Sequence, residues 1–143
     1  KSNNQRKITL TKRIDKILNN RLKNKNITFL GVTFKPNTDD MREASSIPMI
    51  NYLNNKGSKI RYYDPSGRKM EFDKLKNVKF YSSISSACIK SDLIIIHTEW
   101  NAFKLLNFKK LVKKKNFKVF DMRNIYSHDK MRNLKIDYTS IGR

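Results

Sequence analysis

Three polar clusters directly follow the most apolar stretches of the sequence, and their side chains are the best placed to bind a ligand. The clusters are residues 31–43, 97–100 and 120–124. Lys35 offers an ammonium group, and Pro36 biases its backbone towards an extended conformation. Arg42 and Arg123 offer planar guanidinium groups that suit phosphate, carboxylate or carbonyl oxygens. These residue types indicate anion binding, with a structural ion pair as the alternative use of each arginine.

Acid–base, metal and nucleophile chemistry have little support in the sequence. Asp39 and Asp40 are adjacent, but Asp residues ahead of a helix usually cap it or complement its dipole. His97 and His128 lack a ligand pattern such as His-Glu-x-x-His, so no metal site is expected. Cys88 is the only cysteine and falls on a short predicted helix, where a buried, inert thiol is favoured over a nucleophile. We therefore expect neither a catalytic residue nor a metal ligand.

The dinucleotide-binding fingerprint is also missing. A single glycine, Gly31, follows the first predicted strand, whereas the fingerprint needs Gly-x-Gly-x-x-Gly so that the backbone can turn tightly and approach a pyrophosphate. A phosphate could instead meet Lys35 and the N-terminus of the next helix. The first cluster therefore predicts a phosphate contact without a complete dinucleotide site.

Strand-length apolar segments alternate with helix-length segments along the chain. An amphipathic helix is expected at residues 5–22, from the spacing of Ile8, Leu10, Ile14, Ile17, Leu18 and Leu22. Strands are expected at residues 27–32, 59–63, 78–81, 92–97 and 117–121, with a further edge strand near 136–138. Helices are expected between them, from Ser45 or Ser46 as N-cap to Gly57, and at residues 83–90 and 108–115.

This alternation predicts a doubly wound α/β domain with a mainly parallel sheet, similar to the Rossmann fold and preceded by one N-terminal helix. The length of 143 residues fits one such domain. A boundary is expected near Asn24, where the first helix gives way to the first strand. In an open α/β sheet, ligands lie outside the carboxyl ends of the strands, which is where the three clusters fall.

Lysine and arginine outnumber aspartate and glutamate by 32 to 12, giving a formal net charge of +20. Such an excess raises nucleic acid or an anionic membrane as a partner. The basic residues are spread along the chain among asparagines, as in residues 19–26 and 113–116, which favours solvated faces over a nucleic-acid surface. Apolar runs stay well short of the roughly 20 residues of a membrane span, and the first residues contain no apolar signal segment. We expect no membrane partner and a cytoplasmic location.

The three clusters and two further motifs occur in the order and spacing of a known family. They are residues 31–43, Tyr63-Asp64-Pro65, Thr98-Glu99-Trp100, residues 120–124 and residues 140–143. From about Ile27 onward, the sequence resembles the C-terminal, UDP-binding domain of UDP-glucose 6-dehydrogenases, within the UDP-glucose/GDP-mannose dehydrogenase family. Five matches in order are more specific than any one of them.

The resemblance implies that the whole enzyme oxidises the C6 alcohol of UDP-glucose to a carboxylate in two NAD-dependent steps. The family carries its glycine fingerprint in an N-terminal domain and its catalytic cysteine in a central Gly-rich segment followed by Phe-Pro-Lys-Asp. Neither motif occurs in this chain, and Cys88 does not match the second. The chain is therefore expected to bind the UDP-sugar and to need two further domains for catalysis: the N-terminal domain, which binds most of the NAD, and the central domain with the catalytic cysteine.

The resemblance also divides the chain into two parts. Residues 1–24 are similar to the end of the helical segment that connects the domains and supports dimerisation in the family, which implies a homodimer. Residues 25–143 are similar to the UDP-sugar-binding domain itself.

The site residues implied by the resemblance lie in the first and third clusters. Phe34 and Lys35 match the pair that contacts the nucleotide sugar, and Arg123 matches an arginine that meets it from a second strand end. Arg42 resembles an arginine that reaches towards NAD across the domain cleft. Met122 stands where the family often has glycine, so a positive φ or a close ligand approach at that position would strain or crowd the site.

Two alternatives stay open from the sequence. The pattern Phe-Lys-x-x-x-Asp-Asp-x-Arg-Glu is shared by dehydrogenases of other nucleotide sugars, such as UDP-N-acetylmannosamine or GDP-mannose, although Thr98-Glu99-Trp100 favours UDP-glucose. The second alternative is a non-catalytic, basic protein that binds nucleic acid through its positive charge.

Overall fold

Six strands form one parallel sheet within residues 3–142, the part of the chain that the computed structural model describes; side chains are described from residue 9. Their spatial order is β3-β2-β1-β4-β5-β6. The strands are β1 (Asn26–Leu30), β2 (Lys59–Tyr63), β3 (Val78–Phe80), β4 (Leu93–Ile96), β5 (Lys118–Asp121) and β6 (Asp137–Ser140). Every neighbouring pair is parallel. The doubly wound prediction is confirmed, including the edge strand.

The strand order reverses between β1 and β4, so the carboxyl ends of these two strands flank the crevice where folds of this kind bind ligands. Leu30, the last residue of β1, pairs with Tyr63 of β2 on one side and with Ile96 of β4 on the other. The residues that follow these strands therefore begin at the same edge of the sheet.

Five α-helices are present in the described part of the chain. They are α1 (Asn3–Ile17), α2 (Ser46–Asn55), α3 (Ile84–Cys88), α4 (Phe108–Val112) and α5 (His128–Asn133). α3 and α4 are shorter than predicted. α3 ends at Cys88 because Ile89 has an extended ψ of 131°, and α4 ends at Val112 because Lys113 adopts a left-handed conformation. α5 was not predicted; it buries only Met131, so its sequence carries almost no apolar periodicity.

Two apolar cores cover the faces of the sheet. Alternate strand residues point to opposite faces, so Phe29 and Ile95 belong to the first core and Ile94 and Ile96 to the second. α1 and α2 contribute to the first core, whereas α3, α4 and α5 contribute to the second. The helices thus lie on both sides of the sheet, as predicted.

α1 packs on the first core together with α2. Leu10 and Ile14 are buried there. The Tyr52 hydroxyl of α2 lies 2.8 Å from both carboxylate oxygens of Asp15, and Arg13 Nη1 donates to the Ser140 carbonyl at 3.2 Å. These contacts join α1 to α2 and to β6.

The first helix ends at Ile17, so the predicted end at residue 22 is wrong. Asn19 and Asn20 have φ angles of 53° and 60°, a left-handed conformation that asparagine tolerates better than most residues. Leu22 still packs in the first core, at 6% exposed, but it does so from the loop before β1. The apolar spacing therefore continued past the helix. The predicted contribution of Ile8 lies outside the described side chains.

Over the described range, each helix is too short or too polar to cross a lipid bilayer.

Replacing Ile14 with alanine tests whether α1 is part of the folded domain. Because Ile14 is fully buried in the first core, Ile14→Ala should lower the free energy of unfolding by about 2 to 5 kcal/mol. Lys12→Ala, at an exposed position of the same helix, should change it by less than about 0.5 kcal/mol. Urea unfolding followed by circular dichroism measures both. Equal midpoints for both variants would show that α1 contributes nothing to the core.

Candidate functional site

The loop after β1 turns sharply against the loop after β4. Gly31 has a φ of +78°, and a Cβ atom placed on it would lie 2.6 Å from the Thr98 Cβ atom. The Gly31 N–H donates to the Tyr63 carbonyl, and the Val32 N–H donates to Asp64 Oδ2, both at 2.8 Å. A glycine is required at residue 31 because any side chain would meet both an unfavourable φ and Thr98.

The loop after β4 is tied to the first loop by a buried chain of polar side chains. The Thr98 hydroxyl donates to the Thr33 carbonyl at 2.8 Å and lies 2.9 Å from His97 Nδ1. A hydroxyl has a single proton to donate, so Thr98 accepts from His97 Nδ1–H. His97 Nε2, 2.9 Å from Ser45 Oγ, therefore accepts the Ser45 proton in the neutral imidazole. This order of donors fixes one tautomer of His97.

The predicted side-chain cap of α2 is not formed. Ser45 occupies the N-cap position but makes no side-chain capping bond, because its hydroxyl bonds to His97 instead. The Ser46 hydroxyl donates to the Val32 carbonyl at 2.5 Å. Both serines thus join the start of α2 to the two loops. The predicted end is confirmed: Gly57 follows the C-cap residue with a φ of +84°.

The loop after β5 is shaped by one buried carboxylate. Asp121 Oδ1 accepts from the Arg123 N–H at 3.0 Å. Asp121 Oδ2 accepts from the N–H groups of Ile125 and Tyr126 at 2.9 and 3.1 Å and from the Tyr138 hydroxyl at 2.6 Å. Four donors on one fully buried carboxylate compensate for its desolvation and fix the backbone that carries Arg123.

Arg123 bridges all three loops. Its Nε donates to the His97 carbonyl at 2.8 Å, and one Nη donates to the Phe34 carbonyl at 3.2 Å. Glu99 Oε1 lies 3.8 Å from Nε. The side chain is 28% exposed, so part of the guanidinium faces solvent while the rest holds the loops together.

Phe34 and Lys35 lie in the open on the same loop. The Phe34 side chain is unusually exposed for an aromatic residue, at 47%, while its N–H donates to the Asp40 carbonyl at 3.1 Å. The Thr33 hydroxyl donates to the Lys35 carbonyl at 3.0 Å, and Lys35 is exposed. The structure thus brings Phe34 and Arg123 into contact through the Phe34 carbonyl, with Lys35 as the next residue.

Arg42 and Asp40 form an exposed pair instead of capping α2. Arg42 Nε and one Nη lie 3.0 and 3.1 Å from the two Asp40 carboxylate oxygens. These side-chain hydrogen bonds hold the pKa of Asp40 below, and that of Arg42 above, its usual value. The Arg42 side chain is 89% exposed. The predicted capping role of Asp39 and Asp40 is wrong, because the carboxylate of Asp40 binds Arg42 and the Arg42 N–H several residues before the helix begins.

Met122 causes no backbone strain. It is absent from the residues of the described chain that have a positive φ, whereas Asn124, two residues later, has a φ of 56°. The Met122 N–H donates to the Ile96 carbonyl at 3.1 Å, and the side chain packs in the first core. A methionine fits here because the loop places its side chain in the core and leaves the left-handed position to Asn124.

The remaining candidates have structural surroundings. Cys88 is fully buried, as predicted, and burial raises the pKa of its thiol to about 12, which disfavours the nucleophilic thiolate. His128 Nε2 lies 2.8 Å from Ser140 Oγ. In the part of the chain that is described, groups of three or more His, Cys, Asp or Glu residues arranged to hold a metal do not occur.

The residues after β1 do not form the body of a dinucleotide site. The Val32 N–H is already bonded to Asp64, the Val32 carbonyl accepts from Ser46, and the space that a pyrophosphate would need beside Gly31 is filled by Thr98. The residues of this chain therefore do not fit NAD at the position where a Gly-x-Gly-x-x-Gly loop would hold it.

Sequence reasoning missed the residues that join the loops. The sequence predicts Ser45 only as a helix cap, indicates no role for Thr33, and shows Asp64 only as part of the Tyr63-Asp64-Pro65 motif. Asp64 could have been found, because it directly follows β2 and parallel strands bring their carboxyl ends to one edge. The partners of Thr33 and Ser45 lie more than 50 residues away, so the sequence carries no local signal for them.

Comparison with known proteins is consistent with this geometry. Residues 28–128 match the model of the UDP binding domain of the UDP-glucose/GDP-mannose dehydrogenase family. The chain is 36% identical over 145 residues to a UDP-glucose 6-dehydrogenase of Rickettsia felis and 33% identical over 144 residues to one of Rhizobium meliloti. Each match covers 99% of this chain and 32% of the relative. The chain thus spans about a third of the length of these relatives.

Solved structures share the fold at lower sequence identity. An NDP-N-acetyl-D-galactosaminuronic acid dehydrogenase of Methanosarcina mazei superposes with a TM-score of 0.78 at 22% identity, over 97% of this chain and 29% of that one. A UDP-glucose dehydrogenase of Pyrobaculum islandicum superposes with a TM-score of 0.69 at 24% identity, over 90% and 28%.

The strand order and the position of the polar loops define a Rossmann-like α/β domain whose ligand crevice lies between β1 and β4. The family model matches most of the chain and identifies the family as well as the fold. The chain belongs to the UDP-glucose/GDP-mannose dehydrogenase family and contains that family's UDP-binding domain.

Replacing Asp121 with asparagine tests how the third loop is held. An amide would turn an NH₂ group towards N–H donors and leave at least one of them unsatisfied, so Asp121→Asn should lower the free energy of unfolding by about 1 to 3 kcal/mol. Tyr138→Phe removes a single donor and should cost less. Thermal unfolding of both variants measures the difference. A fully stable Asp121→Asn would contradict the role of this carboxylate.

Proposed function

We propose that this chain is the UDP-sugar-binding, C-terminal domain of an NAD-dependent UDP-glucose 6-dehydrogenase, and that it does not catalyse the oxidation of UDP-glucose to UDP-glucuronate by itself. The observation that carries the proposal is Arg123, which lies where the loops after β1, β4 and β5 meet, within a chain whose sequence relatives are UDP-glucose 6-dehydrogenases.

The cationic side chains at this edge suit a pyrophosphate. A guanidinium has five N–H donors, and Arg123 uses two of them on the carbonyls of His97 and Phe34. The others can donate to phosphate oxygens. Lys35, exposed one residue after Phe34, adds a second positive charge. A nucleoside diphosphate carries the charges that these two groups would neutralise.

The exposed ring of Phe34 supports a role next to the same ligand. An aromatic ring that is half exposed offers an apolar face to a base or a sugar ring. Hydrogen bonds with Asp40 and Arg123 hold the Phe34 backbone, so the point of the loop from which the ring projects is fixed. We assign Phe34 and Lys35 to the nucleotide sugar, and Arg123 to its phosphates.

NAD would bind mainly outside this chain. Oxidation of an alcohol requires a hydride acceptor, which NAD supplies in this proposal, bound by the N-terminal domain of the whole enzyme. Arg42 is the one residue assigned to NAD here, because its guanidinium projects into solvent at the same edge of the sheet. Its bidentate pair with Asp40 would have to open or be shared for that contact.

The organisation of the whole protein is part of the proposal. Residues 1–24 are assigned to the end of a connecting segment that supports a homodimer, and residues 25–143 to UDP-sugar binding. A cytoplasmic location is favoured by the single cysteine, which excludes a disulfide within the chain.

A related function, the oxidation of another nucleotide sugar, is the second candidate. The fold of this chain is also that of a UDP-N-acetyl-mannosamine dehydrogenase of Staphylococcus aureus, with a TM-score of 0.72. A competition experiment that measures the relative affinities of UDP-glucose, UDP-N-acetylmannosamine and GDP-mannose for this chain would distinguish these substrates. Preference for GDP-mannose would exclude the first proposal.

Replacing Lys35 with alanine tests the site directly. A hydrogen bond to a charged partner is worth on the order of 1.5 to 3 kcal/mol, or about 10- to 150-fold in affinity. Lys35→Ala should therefore weaken UDP-glucose binding by at least about tenfold and flatten its dependence on salt. Titration calorimetry at two salt concentrations measures both effects.

Lys76→Ala is the matched control, because it removes the same charge from an exposed position just before β3, at the opposite edge of the sheet. It should change the affinity by less than about twofold, since exposed charges beyond about 10 Å are screened at ordinary salt. Equal losses in the two variants would show that binding reflects the overall positive charge. Strong, salt-sensitive binding of duplex DNA without binding of UDP-glucose would favour a nucleic-acid-binding protein.

A further inference from the structure

A second basic region lies at the opposite edge of the sheet from the candidate nucleotide site. It is a groove of about 710 Å³ at the amino ends of β5 and β6, here called the lysine groove. Six of its ten lining residues are lysines: Lys109, Lys113, Lys114, Lys115, Lys118 and Lys135. Strands rise about 3.3 Å per residue, so the three steps of β5 from Lys118 to Asp121 separate the groove from the loop that carries Arg123 by roughly 10 Å.

The lysine groove is more basic than the general composition explains. Lysine and arginine together make up 32 of the 143 residues, whereas lysine alone makes up six of the ten residues that line the groove, against one acidic residue, Asp137. A uniform excess of lysine on solvated faces would not concentrate the charge in this way.

Only part of this charge is neutralised within the described chain. Lys118 Nζ lies 2.6 Å from Asp137 Oδ2, and Lys114 pairs with Asp92. Lys109, Lys113, Lys115 and Lys135 have no carboxylate partner among the described residues. Four ammonium groups around one depression repel each other, and an anion with several charges would relieve that repulsion.

The backbone around the lysine groove is held in place. Lys113, Asn116 and Lys135 have φ angles of 54°, 59° and 58°. The Lys113 carbonyl accepts from Lys90 Nζ at 2.8 Å, and the Lys135 N–H donates to the Arg132 carbonyl at 2.9 Å. The backbone of Lys113 and Lys135 is therefore already ordered before a ligand binds, so ordering it adds nothing to the entropy cost of binding.

The chemistry of the lining selects the kind of ligand. Ammonium groups only donate hydrogen bonds, so the ligand must be rich in acceptors and negatively charged. Phe117 and Ile136 at the floor of the groove are buried and leave no exposed aromatic ring on which a base could stack. The volume falls within the roughly 300 to 1,000 Å³ of small-ligand sites.

We propose that the lysine groove binds a short, linear polyphosphate anion through its unpaired lysines, independently of the candidate nucleotide site. The phosphate chain is recognised by charge and by its row of acceptor oxygens. The groove recognises the phosphates alone and makes no contact that requires a base or a sugar.

The test uses inorganic tripolyphosphate as the probe and isothermal titration calorimetry as the measurement. Lys109→Gln/Lys115→Gln removes two unpaired charges from the groove at positions with ordinary backbone conformations, and it should weaken binding by at least about tenfold. Lys74→Gln/Lys76→Gln removes the same charge from an exposed surface elsewhere and should weaken it less than about twofold. Thermal unfolding checks that each variant folds. If the Lys109→Gln/Lys115→Gln variant does not fold, Lys135→Gln replaces it as the groove variant.

Four results would overturn the proposal. Equal losses of tripolyphosphate affinity in the groove and control variants would indicate binding by the general positive field, and a loss in Lys35→Ala would place the anion at the nucleotide site. No measurable binding by the parent chain would also contradict the proposal. The fourth result is that a thymidine oligonucleotide of equal charge binds more tightly than tripolyphosphate and loses that binding in the groove variant.

Discussion

The contact between Gly31 and Thr98 determines the geometry of the whole ligand edge. The crevice of a doubly wound sheet opens where the strand order reverses, and here the two loops that flank it touch: the Cβ position of Gly31 is occupied by Thr98. Next to this contact, the Thr98 hydroxyl forms hydrogen bonds with the Thr33 carbonyl and with His97. His97 in turn forms a hydrogen bond with Ser45 at the start of α2. A larger residue at 31 would separate the loops and break this buried chain of hydrogen bonds.

Arg123 depends on that contact in turn. Its two hydrogen bonds go to backbone carbonyls of the loops after β1 and β4, and its own backbone is set by the buried carboxylate of Asp121. The guanidinium therefore contributes to the fold of the site even without a ligand, while the side chain stays 28% exposed. Of the two uses that the sequence allowed for this side chain, the structural one is thus observed, and anion binding by its remaining donors is the function that we propose.

The fold was largely predictable because buried parallel strands are short, continuous apolar runs. β2 matches its prediction residue for residue, and the polar clusters were expected at the correct edge. The errors have physical causes. Leu22 kept the helical spacing while packing from a loop, α5 has almost no apolar face, and Ser45 bonds to a histidine 52 residues away instead of capping its helix. Met122 shows the same limit, since a family-based expectation of strain depended on a φ angle that only the structure provides.

The central claim is that UDP-glucose binds in the crevice between β1 and β4, where the strand order reverses. Chemical-shift mapping of the ¹⁵N-labelled chain tests this claim most directly. The account predicts that the largest amide shift changes on titration with UDP-glucose fall in residues 31–35, 97–99 and 122–124, with little change in the lysine groove. Largest changes among residues 109–118, or small changes spread evenly over the chain, would contradict it.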